Sequence, residues 1–373
     1  MNKKLLALFG AIALAITACG SGDSSDDGLS SEAATTTAAP ATETTTTAAP
    51  ETETTEAETT EDTEAVEEAA ASTISRQPLT LATATAGPIT VTPTECAVEG
   101  AALEGPGGAE SIAFAGDHLF VSNDAGVLAF SFTGGPDCVL TLDTTMGTNG
   151  VMTDDTNLSS LSGTVDGRLA ASGVLGTMVF DTAQGFSYEC NMTGYVSLSP
   201  DGSTALMNFP GRDAVEQWSL SDTNCDETGS MTFDGIPDVK FVTYDGSDFL
   251  VGGSNAAETV VVSRYRNGAP VWTAGSDDTG ADDWWGWVHG MAPCGNFTCM
   301  IDTNTDALAL IGDDGVVAAA FDFSDLIGIR SWIEPIVVGP DGAAYVLFDD
   351  AVDDETSDER TYFASIIRLD VTN

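Results

Sequence analysis

LSPDGSTALM, residues Leu198–Met207, is the stretch that decides the fold. Two runs of alternating apolar residues flank an Asp-Gly pair, and such a pair closes a short hairpin because the turn needs a positive φ that Gly and Asp tolerate. The unit returns as VDGRLAASG (Asp166, Gly167), YDGSDFLVG (Asp245, Gly246) and PDGAAYVLF (Asp341, Gly342), with looser copies at AGDHLFVSN (Gly116) and CGNFTCMID (Gly295). Successive turn glycines lie 51, 35, 44, 49 and 47 residues apart. A mean spacing of about 45 is the period of a four-stranded propeller blade. The expected fold is therefore an all-β, six-bladed β-propeller, with seven blades as the alternative.

Each repeat parses into strands a to d, the Asp-Gly turn joining a to b. Five repeats supply all four strands. The last offers only EPIVVG, AAYVLFD and YFASIIRLDV before Asn373, so its outer strand is expected to come from PITVTPTECAV, Pro88–Val98, an N-terminal strand that closes the last blade.

The N-terminal eighty residues are a different kind of polymer. Lys3 and Lys4 precede a mostly apolar run, Leu5–Ala18, too short to span a bilayer but suited to the apolar region of an export signal. It ends in Ile16-Thr17-Ala18-Cys19-Gly20, which resembles the lipobox of bacterial lipoproteins. That resemblance implies a signal peptide over 1–18, lipidation of Cys19, and a membrane anchor holding the folded domain outside the cytoplasm, in the cell envelope. From 19 to 80 the chain is rich in Thr, Ala and Glu, with no aromatic residue between Gly10 and Ala113. Such a segment cannot bury enough apolar surface to offset chain entropy and is expected to be a disordered tether. Its flexible-coil reach is roughly 45 Å. The propeller domain is assigned to 81–373.

Formal net charge is −47. Fourteen of the 58 acidic residues and three of the eleven basic ones lie before position 81, which leaves the folded region 44 acids, 8 bases and a net charge of −36. That surface repels nucleic acid and anionic lipid, so neither is an expected partner of the domain. Beyond Cys19 there are six cysteines, Cys96, Cys138, Cys190, Cys225, Cys294 and Cys299, an even number in an exported chain, and disulfides are expected. Cys294 and Cys299 flank one hairpin turn and can face each other across it. Cys96 with Cys138 and Cys190 with Cys225 fit as neighbouring-blade pairs, although spacing leaves connectivity open.

Several segments resemble propeller families. LSPDGSTALM resembles the hairpins of WD40-type and TolB-type repeats, IDTNTDALALIG those of surface-protein YVTN repeats, and YRNGAPVWTAG the closing strands of PQQ-like blades. Together they cover nearly all of 85–373. They imply the fold and leave the function open.

Candidate site residues follow from where the loops fall. In a propeller the d-to-a and b-to-c loops share one face. Between the fourth and fifth blades, GSDDTGADDWWGWVHG places Trp284, Trp285, Trp287 and His289 beside four aspartates, and aromatic faces next to carboxylates suit a glycan or a protein contact. Arg212, Arg330 and Glu334 fall on the same face, the arginines as a foothold for an anion. Asp302, Asn304, Asp306 and Asp313 approximate the spacing of a calcium loop, although Ala307 replaces its turn glycine. Calcium is the candidate ion, and no other cofactor is expected. No GxSxG or HExxH motif occurs, and the two histidines, His118 and His289, are expected at opposite ends of their blades. The reading is a membrane-anchored binding or scaffolding module for a protein or glycan. The alternative is a divalent-cation-dependent hydrolase or lyase, its metal held in the central channel by Glu334 and Asp238.

Overall fold

The computed structural model describes residues 78–373, apart from 101–102, 106–107, 210–211, 276–287, 303–305, 329–331 and 354–359. Contacts divide the chain into two units, Met1–Ala69 and Ala70–Asn373, and all described residues belong to the second. They form a six-bladed propeller of six sheets, each blade an antiparallel four-stranded unit. From the axis outward, blade 1 is Ala109–Ala115, His118–Asn123, Gly126–Thr133 and Val139–Leu142, and blade 2 is Leu158–Gly163, Arg168–Gly173, Thr177–Asp181 and Phe186–Cys190. Blade 3 is Tyr195–Leu198, Thr204–Asn208, Val215–Leu220 and Cys225–Met231; blade 4 is Asp238–Asp245, Asp248–Ser254, Val260–Arg266 and Ala269–Gly275. Blade 5 is Val288–Cys294, Phe297–Asp302, Ala307–Ile311 and Val317–Asp322. Blade 6 is Trp332–Val338, Ala344–Asp353, Arg360–Thr372 and, from the N-terminal side, Ile89–Glu95. The seven-bladed alternative is thereby excluded.

The turn glycines Gly116, Gly167, Gly202, Gly246, Gly295 and Gly342 all have positive φ, which is the conformation the Asp-Gly signal requires. The turns differ in length. Residues 116–117, 246–247 and 295–296 are two-residue turns, whereas the PDG turn of Leu198–Met207 is longer, with Ser199 N–H bonded to Thr204 O and Gly202 N–H to Ser199 O. There Asp201 accepts from Ser199 Oγ at 2.7 Å and from Ser203, which depresses its pKa to about 2.

The apolar core is divided into six clusters, one in each gap between neighbouring blades. Each sheet is thus covered on both faces, which is why Ala307–Ile311 is buried at all five positions instead of alternating. Inner strands of the first four blades are cross-linked by serine hydroxyls. Leu161 N–H donates to Ser111 Oγ at 3.0 Å, Val196 N–H to Ser160 Oγ at 3.0 Å, Leu198 N–H to Ser162 Oγ at 2.9 Å and Tyr244 N–H to Ser197 Oγ at 3.2 Å. These bonds satisfy inner-edge amides that no strand pairs. Ser160→Ala leaves the Val196 N–H buried without its acceptor, and urea denaturation should register a loss of about 1–3 kcal/mol.

Closure is a stitch across two blades. Pro88–Val98 is not one strand: Ile89–Glu95 completes blade 6, and after Cys96 the chain pairs Ala97–Glu99 in parallel with the outer strand of blade 1. Glu104–Gly105 then returns to pair with Tyr362 and Phe363 before the inner strand of blade 1 begins. Disulfides Cys96–Cys138 and Cys190–Cys225 join outer strands of adjacent blades, and Cys294–Cys299 spans its hairpin. Three disulfides mark a domain that matures in an oxidising compartment outside the cytoplasm. Upstream of the stitch, Thr80 and Ala82 donate to the carbonyls of Ile327 and Leu326 in the short helix Phe323–Ile327, whose start is capped by Asp322. Among the described residues no helix is long and apolar enough to cross a membrane.

Candidate ligand-binding site

All six inner strands line an axial cavity of 710 Å³. At the loop end of five of them the pairing with the second strand skips a position: between Ala109 and Ser111, Leu158 and Ser160, Val239 and Phe241, Val288 and Gly290, and Ile333 and Ile336. The residues skipped are Glu110, Ser159, Lys240, His289 and the pair Glu334-Pro335. A β-bulge leaves its extra residue out of the ladder and re-aims it, and bulges recur next to binding sites for that reason. Glu110, Ser159, Lys240, His289 and Pro335 all line the cavity, and blade 3, which has no bulge there, contributes Tyr195 from the first position of its strand. Five bulges at one end of one cavity form a ring of chemically varied groups around its mouth.

The ring offers both donors and acceptors. Burial, with the nearby Asp124 carboxylate, raises the pKa of Glu110 above the usual carboxylate value. Burial lowers that of His289, so its imidazole is neutral at neutral pH and can both donate and accept. Lys240 Nζ lies 2.9 Å from Asp238 Oδ2, and the Lys240 carbonyl accepts from Asn208 Nδ2 at 2.7 Å. Among the described residues, Asp238 Oδ1 and Asn208 Oδ1 are buried acceptors with no hydrogen-bond donor. On the blade 6 side of this face, Asp349 is pushed up to about 7 by burial and by Asp350 and Asp124. Below the mouth the wall is mixed, with Ile112, Val196, Val242, Met291 and Ile336 beside Ser111, Ser160, Ser162 and Thr243.

Of the residues singled out from sequence, His289 is at the mouth. Trp284, Trp285, Trp287, Asn304 and Arg330 lie outside the described residues, as does the side chain of Glu334, whose backbone is in the inner strand of blade 6. Arg212 is paired with Glu216 at 2.8 Å and stands 4.5 Å over the Phe209 ring, so its charge is locally compensated. Of the calcium-loop residues described, Asp313 stands apart from Asp302 and Asp306. Asp302 is buried at the loop end of its strand and Asp306 lies just before the next strand, Ala307–Ile311, whereas Asp313 follows that strand at its far end, about 17 Å along at 3.3 Å per residue, 3.5 Å from Arg264. Calcium ligands must lie within about 2.6 Å of one ion. Among the described residues no three His, Cys, Asp or Glu side chains gather to hold a metal. His118 sits at the turn end of blade 1, held by Asp143 at 2.9 Å and Asp117 at 2.7 Å, far from His289 along the strands. Sequence reading missed Glu110, Ser159, Lys240 and Tyr195; the signal available was a polar residue near the start of each inner strand.

No family model matches the chain, and no curated protein matches it. Among solved structures it is similar to the iodide structure of Trichoderma reesei carbohydrate-active enzymes family AA12, at 10% identity and a TM-score of 0.46, covering 79% of this chain and 99% of that one. It is also similar to a chain of the nidogen/laminin complex, at 9% identity and a TM-score of 0.45, covering 69% and 98%. Myxococcus xanthus glutaminyl cyclase is similar at 12% identity and a TM-score of 0.35, covering 58% and 92%. Likeness at these identities concerns the fold and leaves the ligand open.

Proposed function

We propose that the protein is a lipid-anchored binding module of the cell envelope, carried on a tether from Cys19, that takes a glycan at the loop-face mouth of its axial cavity. The observation that carries this reading is the ring of five bulges, which re-aims Glu110, Ser159, Lys240 and His289 around one opening. A polyhydroxylated ligand needs donors and acceptors at several azimuths together with an aromatic or apolar surface for the sugar ring, and this mouth has both. Its chemistry is mixed, which suits a neutral ligand better than a strongly charged one. The test is calorimetric titration with soluble cell-wall glycan fragments and neutral oligosaccharides. Wild type should bind at least one of them, and Tyr195→Ala combined with His289→Ala should weaken that binding by at least about tenfold, or ~1.4 kcal/mol, with the thermal midpoint retained. Equal binding by the double variant would overturn the placement.

A further inference from the structure

We infer that the hairpin tip Val174–Leu175, on the same face, is a docking surface for a basic segment of a protein partner. The tip joins the second and third strands of blade 2, and its two side chains are 73% and 75% exposed. No other two exposed large apolar residues are consecutive among those described, and Tyr195, 44% exposed, follows Gly194, whose N–H reaches Gly173 O at the base of the tip. A turn of this kind is ordinarily polar.

The tip is also held in place. Gly173 N–H bonds to Gly176 O at 3.0 Å, and at the base Thr177 Oγ1 bonds to Ser172 Oγ at 2.7 Å and to Met192 O at 2.9 Å. At Gly173 a side chain would run into the Asn157 carbonyl, so the tip is packed against the neighbouring loop. Two apolar side chains are therefore presented rigidly to solvent, which lowers the entropic cost of binding. A contiguous exposed apolar patch with a polar rim is characteristic of an interaction surface.

Charge selects the occupant. Glu189, an exposed acid, precedes Cys190, whose carbonyl faces Gly176 in the tip. With a net charge of −36 on the folded region, a lysine- or arginine-bearing segment is attracted, and a bilayer with anionic headgroups is repelled. The partner segment would set apolar side chains on Val174 and Leu175 and a basic one on Glu189.

The probe is a short, labelled peptide of alternating lysine and leucine, read by fluorescence anisotropy against the full chain, with lysine/serine and glutamate/leucine peptides as comparisons. The lysine/leucine peptide should bind best. Val174→Ser with Leu175→Ser, two exposed positions, should weaken it by at least about tenfold while glycan titration at the mouth is unchanged. Unchanged peptide affinity in that variant, or equal binding of the glutamate/leucine peptide, would overturn the proposal. So would adsorption to phosphatidylcholine vesicles, or self-association in sedimentation velocity, that the variant abolishes: the occupant would then be lipid or a second copy.

Discussion

A chain lacking residues 1–99 should fail to fold, showing no cooperative thermal transition and no near-ultraviolet dichroism. The deletion removes the outer strand of blade 6, including Ile89 and Val91, 3% and 0% exposed, and the parallel strand Ala97–Glu99 that ties it to blade 1. Burial of the two apolar side chains is worth about 3–6 kcal/mol. The Cys96–Cys138 bridge, closing a loop of sequence separation 42, contributes about 4 kcal/mol in the chain-entropy account. Their combined loss is comparable to the whole stability of a typical domain, about 5–15 kcal/mol. A milder form of the experiment separates the terms. Cys96→Ser with Cys138→Ser should fold but melt well below wild type, whereas the same change at Cys294 and Cys299, separated by only 5, should cost less. A truncated chain that melts like the full one would show that blade 6 closes without the N-terminal strand.

The second large effect is expected from Asp248→Ala. Asp248 is 2% exposed and accepts from Arg264 Nε at 2.8 Å, Arg266 Nε at 2.9 Å and Arg266 Nη2 at 2.7 Å, while Arg264 also reaches Asp245 at 2.9 Å. This network pins the turn of blade 4 to its third strand. Removing the carboxylate leaves Arg264, 21% exposed, without its nearest counter-charge, at a cost of about 3 kcal/mol. Its pH dependence has a definite sign. The Arg266 hydrogen bonds hold the Asp248 pKa below the usual value, so the unfolded chain takes up this proton first on acidification. The contribution is present above the unfolded value, about 3.9, and is lost as pH falls through the lower folded value. Asp248→Asn should therefore destabilise at pH 7 and by less at pH 2. A variant equally destabilised at both pH values would place the effect in packing instead of charge.

The fold was legible because turn chemistry is local: each Asp-Gly or Gly turn requires a left-handed glycine, and six such glycines at a regular interval announce six blades. Cys96 shows the limit. Its spacing suggested a partner in the next blade, but the change from antiparallel pairing in blade 6 to parallel pairing in blade 1 at that residue depends on where two sheets meet. The inner serines were visible as polar interruptions of apolar runs, yet their role is to satisfy edge amides of the neighbouring blade, which only assembly of the ring brings within reach. The mouth was the least legible part, because a bulge exists only relative to a partner strand. His289 drew notice through its neighbouring tryptophans, whereas Glu110 and Lys240 have no neighbours in sequence that set them apart. Asp341 likewise read as a turn residue, and the structure adds that it bonds Gly135 N–H of blade 1, Tyr345 and Arg368.

Calorimetric titration of the oxidised full chain with soluble cell-wall glycan fragments is the most direct measurement. A saturable heat that falls at least about tenfold in affinity on Tyr195→Ala with His289→Ala is the predicted result. Absence of binding to every fragment, or binding indifferent to the mouth residues, would contradict a glycan site in the ring of bulges.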